Sequence, residues 1–131
     1  MDVEKIYDNN NLLHIIRRYF SKKTFMTEET DFLGVNCYKF EKDKVVQPHY
    51  HLACNKIIYQ NQEVWMVYNG KIEVSLYDLS NKKIKQTILC DGDILITLKG
   101  AHSLKVLEEN TIIYEIKTGP YLGPEKDRVC I

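Results

Sequence analysis

The sequence predicts an all-β domain with one α-helix at its N-terminal end, and three observations carry that expectation. From about residue 30 onward apolar and polar residues alternate with a period of two, the signature of half-buried strands. Turn signals recur at short intervals, Asn69-Gly70 being the strongest, as they do in sandwiches and barrels. Before residue 30 the apolar positions follow helical spacing instead.

The helix is expected over residues 9–20. Asn9, Asn10 and Asn11 offer capping side chains, and Leu12, Leu13, Ile16, Tyr19 and Phe20 make an apolar stripe. Arg17, Arg18, Lys22 and Lys23 suit the negative end of a helix dipole. Such a stripe needs cover, so the helix should pack on the outside of a sheet. Residues 32–40 and 44–50 read as strands divided by the turn Glu41-Lys42-Asp43. In residues 63–68, Glu63, Trp65 and Val67 take one face and Val64, Met66 and Tyr68 the other, a strand expected to be covered on both sides. Strands over 71–78, 84–89, 94–98, 102–106 and 111–117 complete the set, separated by turns rich in Gly, Asn, Asp and Ser. The prolines and glycines of 119–124 forbid a regular helix or a central strand there. Tyr121 and Leu122 nevertheless give this tail something to bury, against the domain or a neighbouring subunit. The expected organisation is a helical segment over 1–30, a β-barrel over 31–118 and a packed tail over 119–131.

A chain of 131 residues makes one domain with a real core, without metal or disulfide staples. Eighteen basic residues balance eighteen acidic ones, which argues against a nucleic-acid-binding domain. No apolar run is long enough to span a bilayer, and the start lacks the basic and apolar regions of a secretory signal. A cytoplasmic protein is therefore expected. Cys37, Cys54, Cys90 and Cys130 form no C-x-x-C pair, so free thiols are expected. Strands apolar on both faces need more cover than one barrel interior provides, which points to a symmetric homodimer.

The chemistry concentrates in three places. His49 and His51 flank Tyr50, and on a strand both imidazoles would share one face, half of a first-row metal site. Glu63 precedes Gly70 with six residues between them. His102 follows Gly100-Ala101 and shares strand parity with Leu104 and Val106, so it should point into an apolar interior, where an imidazole needs a partner. This succession resembles the two motifs of the cupin superfamily, His-x-His with Glu and Gly, then a Gly-rich turn with the last His. Gly70-Lys71-Ile72-Glu73-Val74 and Glu115-Ile116-Lys117-Thr118-Gly119-Pro120-Tyr121 further resemble short single-domain cupins encoded among sugar-nucleotide and surface-polysaccharide genes.

The resemblance implies a jelly-roll barrel with the helix packed outside it. It implies one divalent ion (Fe, Mn, Ni or Zn) held by His49, His51, Glu63 and His102, in a site that binds or transforms a small carbohydrate-like or carboxylate ligand. Residues 52–62 lengthen the first motif. Gln47, Trp65, Glu115, Lys117 and Tyr121 are the candidates to support the ligand set or touch a substrate. Glu115 and Lys117 read as a solvated face or, with the faces reversed, as an acid/base or anchoring pair inside the barrel. The chain also resembles the metal-free sugar-nucleotide ketoisomerases, which would make His49 and His51 an acid/base pair. A non-catalytic ligand sensor is the third reading.

Overall fold

The run Leu12-Leu13-His14-Ile15-Ile16 decides the N-terminal structure, and it makes a strand where a helix is expected. In the computed structural model, which describes residues 3–18 and 24–131, β1 (Val3–Asp8) and β2 (Asn11–Arg17) form an antiparallel hairpin. Asn9 turns the chain at φ 51°, a left-handed conformation that asparagine tolerates, so the asparagines make a turn and not a helix cap. A contiguous apolar run fits a strand buried on both faces as well as it fits a helix. Here Ile15 enters one core and Ile16 the other, which a strand achieves with neighbouring residues. Tyr19, Phe20, Lys22 and Lys23 of the expected helix lie outside the described residues.

The later strands fall close to their expected places only from residue 63 onward, and Thr24–Phe25 was not expected as a strand. They are β3 (Thr24–Phe25), β4 (Asn36–Cys37), β5 (Glu63–Asn69), β6 (Lys71–Tyr77), β7 (Lys83–Cys90), β8 (Ile94–Thr97), β9 (His102–Val106) and β10 (Ile112–Lys117). A single helical turn, α1 (Pro124–Asp127), lies in the tail. The larger sheet has the order β1-β2-β8-β5-β10, the smaller one β7-β6-β9, and β3 pairs with β4; all the pairings are antiparallel and the described sheets stay open. The two strands expected over 32–40 and 44–50 reduce to Asn36–Cys37, and residues 38–62 contain no strand. Pro48 interrupts the second run and removes a ladder donor, and no neighbouring strand pairs with either side of it.

Two cores result. Trp65 and Val67 of β5 pack between the sheets with Ile16, Ile72, Val74, Leu76, Leu89 and Leu95. Val64 packs on the other face of the larger sheet with Ile15, Met26, Ile96 and Leu98, against Leu33, Val35 and Cys37. Strand β5 is thus covered on both sides from Val64 to Val67, while Tyr68, expected to be covered too, is exposed. The four cysteines are free thiols, and no described helix is long and apolar enough to cross a membrane.

One imidazole belongs to the packed interior. His14 is fully buried, with Nδ1 3.1 Å from the Thr97 hydroxyl and Nε2 3.2 Å from the Tyr77 carbonyl. The carbonyl can only accept, so Nε2 carries the proton and Nδ1 accepts from Thr97. Burial pushes the His14 pKa down to about 4; the Tyr77 bond opposes this, and the nearby His102 charge adds to it.

Two predictions follow from this frame. Folded His14 resists a proton that the unfolded chain accepts below about pH 6.5, so its contribution is complete above that pH and is lost as pH falls toward 4. The loss is on the order of 3 kcal/mol, and urea titrations across pH 4–7 should show it shrink in His14→Gln. Gly70 has φ 101° and a Cβ there would collide with Thr111, so Gly70→Ala should cost at least about 1–2 kcal/mol. A lower denaturation midpoint at unchanged slope would register it.

Candidate functional site

Register assembles the site. Glu63 of β5 lies opposite Lys117 of β10, and Trp65 lies opposite Glu115, so the period of two puts all four side chains on one face. That face is the inner one, because Trp65 and Val67 belong to the core between the sheets and Ile113 packs against it. From the smaller sheet, β9 pairs with β6 so that His102 sits opposite Leu76, a member of the same core. The residues therefore meet where the inner faces of both sheets change from apolar to polar. They line a cleft of roughly 830 Å³ that Gln62, Tyr77, Lys99 and the tail from Asp127 to Ile131 also border.

Glu63 is the hub. Its Oε2 lies 2.7 Å from His102 Nε2, and its Oε1 accepts from the Trp65 indole N–H at 2.9 Å. The same indole lies 3.4 Å from Glu115 Oε2, and the Trp65 and His102 rings meet edge to face at 4.4 Å. Burial by itself would raise the Glu63 pKa, but the hydrogen bond and charge of His102, with help from Glu115 and Trp65, hold it below the ordinary 4.5. Lys117 Nζ lies 3.1 Å from Glu115 and 3.3 Å from Asp127. Burial would lower its pKa, yet these two carboxylates hold it above the usual lysine value. His102 Nδ1 is buried without a hydrogen-bond partner, and at that atom the site is polar and unsatisfied.

The expected ligand set divides in two. Glu63 and His102 come together. His49 and His51 lie on the exposed stretch 38–59, their rings 5.3 Å apart, with His49 Nδ1 donating to the Gln47 carbonyl at 2.7 Å. Gln47 thus offers its backbone, not its side chain, to these histidines. Among the described residues no three His, Cys, Asp or Glu side chains gather as a metal ion would require, so as arranged the donors make half a set. Trp65, Glu115 and Lys117 do border the cleft, where Glu115 and Lys117 share the face of Trp65 while Glu115 remains exposed. Tyr121 is exposed beside Lys117, its ring 5.4 Å from Nζ.

Sequence reasoning missed Asp127 and His14. Asp127 comes from a tail read for its proline and glycine punctuation and for Tyr121 and Leu122, none of which singles out one carboxylate. His14 was hidden inside the helical reading, although a polar residue within the run Leu12 to Ile16 is itself a signal of a buried partner.

Compared with protein-family models, with curated proteins and with solved structures, the chain matches none.

The hub role of Glu63 is measurable. Glu63→Leu keeps the approximate volume but leaves His102 Nε2 without its acceptor and the indole N–H with only the longer bond to Glu115, which should cost about 1–3 kcal/mol in urea unfolding. Emission from Trp65, the only tryptophan in the chain, should shift in the folded variant.

Proposed function

We propose that this protein is a cupin-type small-ligand-binding protein whose cleft takes a carbohydrate-like ligand. The observation that carries the reading is the block of Glu63, Trp65, Glu115 and Lys117 on one sheet face with His102 opposite. A sugar presents an apolar C–H face and a ring of hydroxyls. Carboxylates and an ammonium group suit the hydroxyls, and the buried Trp65 indole is tied to these carboxylates through its N–H. A mostly preformed cleft with a few convergent polar groups is the ordinary form of a small-molecule site. The order of His-x-His, Glu63, Gly70 and His102 supports the cupin part of the reading, with jelly-roll topology as its finer form. The same reading takes the protein as a homodimer, supported by Ile112, Tyr114 and Ile116 exposed along edge strand β10.

A second reading, a divalent metal ion, rests on the 2.7 Å approach of Glu63 to His102, which joins two of the four expected donors. Elemental analysis of protein prepared without chelator distinguishes it. About one ion per chain that is lost in both His102→Ala and His51→Ala supports a joint site. Protein that cannot be loaded removes this reading.

The ligand reading is tested by titrating neutral sugars, sugar acids and nucleotide sugars while following Trp65 emission and the heat of binding. A saturable response is expected from at least one class. Glu115→Ala should weaken it about tenfold or more, the loss of one hydrogen bond to a charged group. No saturable response from any of the three classes would sink the proposal. Solvent-deuterium uptake by a bound keto-sugar, abolished in His102→Gln, would add proton transfer to binding.

A further inference from the structure

The turn that delivers His102 to the cleft is gripped from behind by strand β2. The β1–β2 register steps from the pair Ile6 and His14 to the pair Tyr7 and Leu12, so Leu13 is the extra residue of a β-bulge. Its carbonyl accepts from both Leu98 N at 2.8 Å and Lys99 N at 3.2 Å, the first residues after β8. The next residue, His14, bonds Thr97 at the end of β8 and the Tyr77 carbonyl at the end of β6. Tyr77 in turn donates its N–H to the Ala101 carbonyl at 2.9 Å, one residue before His102.

Gly100 closes the arrangement. At φ 84° it lies so near that a Cβ there would stand 2.7 Å from the Tyr77 carbonyl and 3.3 Å from His14 Nε2. The backbone from Thr97 to His102 is therefore fixed at both ends and pressed against the imidazole in its middle. A core that needed only volume at position 14 would be served by leucine; two directed hydrogen bonds are what histidine adds.

We propose that His14 is a positioning residue: through Thr97, the Tyr77 carbonyl and the Gly100 turn it sets the ring of His102 against Glu63. This rests on reading the cleft as a ligand site. The geometry at His102 is nevertheless measurable without any ligand, so the two readings fail separately.

The experiment is nitrogen-15 NMR of the His102 ring in the full chain, assigned by comparison with His102→Gln. In the native protein the donor bond to Glu63 should fix one tautomer, with Nε2 protonated. His14→Leu removes both hydrogen bonds at similar volume, and the His102 signals should move toward averaged tautomers while the chain remains folded. His14→Gln keeps a donor within reach of the Tyr77 carbonyl and should restore the native signature. Thr97→Val removes one of the two bonds with less disturbance and should give an intermediate shift. It decides the matter if His14→Leu does not fold. An unchanged His102 signature in folded His14→Leu, or in Thr97→Val when the other variant is lost, overturns the proposal. A shift that His14→Gln fails to restore also overturns it, because the effect would then follow packing and not the directed bond.

Discussion

Everything in this fold depends on β5 being buried on both faces. Its neighbours β8 and β10 satisfy its backbone, and from Val64 to Val67 successive side chains serve two interiors, while Tyr68 at its end is exposed. Val64 goes to one core, and Trp65 and Val67 to the other. A slip of one residue would exchange the two sets and bring Glu63 and its partners out of the cleft. Asn69-Gly70 does not close the hairpin its sequence suggests, because β5 and β6 lie in different sheets; the left-handed Gly70 instead carries the chain from one sheet to the other. Core and site are thus held in register by the same strand.

A partly buried carboxylate at the end of such a strand needs donors, and its neighbours supply them without a fixed cation such as arginine. The indole N–H and the imidazole occupy one oxygen each of Glu63. Lys117 stands across the strand pair, its charge already shared between Glu115 and Asp127. The group is a network in which, His102 Nδ1 aside, the polar atoms named here have a partner, so on the proposed reading a ligand would exchange hydrogen bonds with most of them. Under that reading, ligands rich in hydroxyls, which both donate and accept, would be favoured over purely apolar ones.

Much of this was legible in the sequence, and the failures have physical causes. Strands β5 to β10 follow from alternation and turn residues, since each has a polar and an apolar side or a clear boundary. His102 was placed on an inward face by its parity with Leu104, and parity put Glu63 and Trp65 together on one face of β5. The N-terminal hairpin was misread because Leu12, Leu13 and Ile16 satisfy a helical spacing while the intervening Ile15 makes the run contiguous; only the second core, invisible in sequence, separates the two. The stretch around His49 and His51 has strand composition but no partner, and pairing is a tertiary property that composition does not carry. For Glu115 and Lys117 parity gave two answers, since Ile112, Tyr114 and Ile116 are the more apolar side of β10 and yet face outward.

That last inversion explains where the cleft lies. Along the inner face, β10 runs from Ile113 to Glu115 to Lys117, and antiparallel β5 runs from Val67 to Trp65 to Glu63 beside it. In the opposite sheet β9 runs from Leu104 to His102 toward the same end. Three strands pass from apolar to polar in step, at one end of a single interior. Closing that end with aliphatic side chains would add roughly 25 cal/mol for each Å² of apolar surface removed from water. The sequence forgoes this on three strands at once and leaves His102 Nδ1 buried and unbonded. One such residue is an accident of packing, but a matched gradient across two sheets is a construction. It keeps the interior open at one end, with its polar groups already oriented by β2 from behind and by the tail in front.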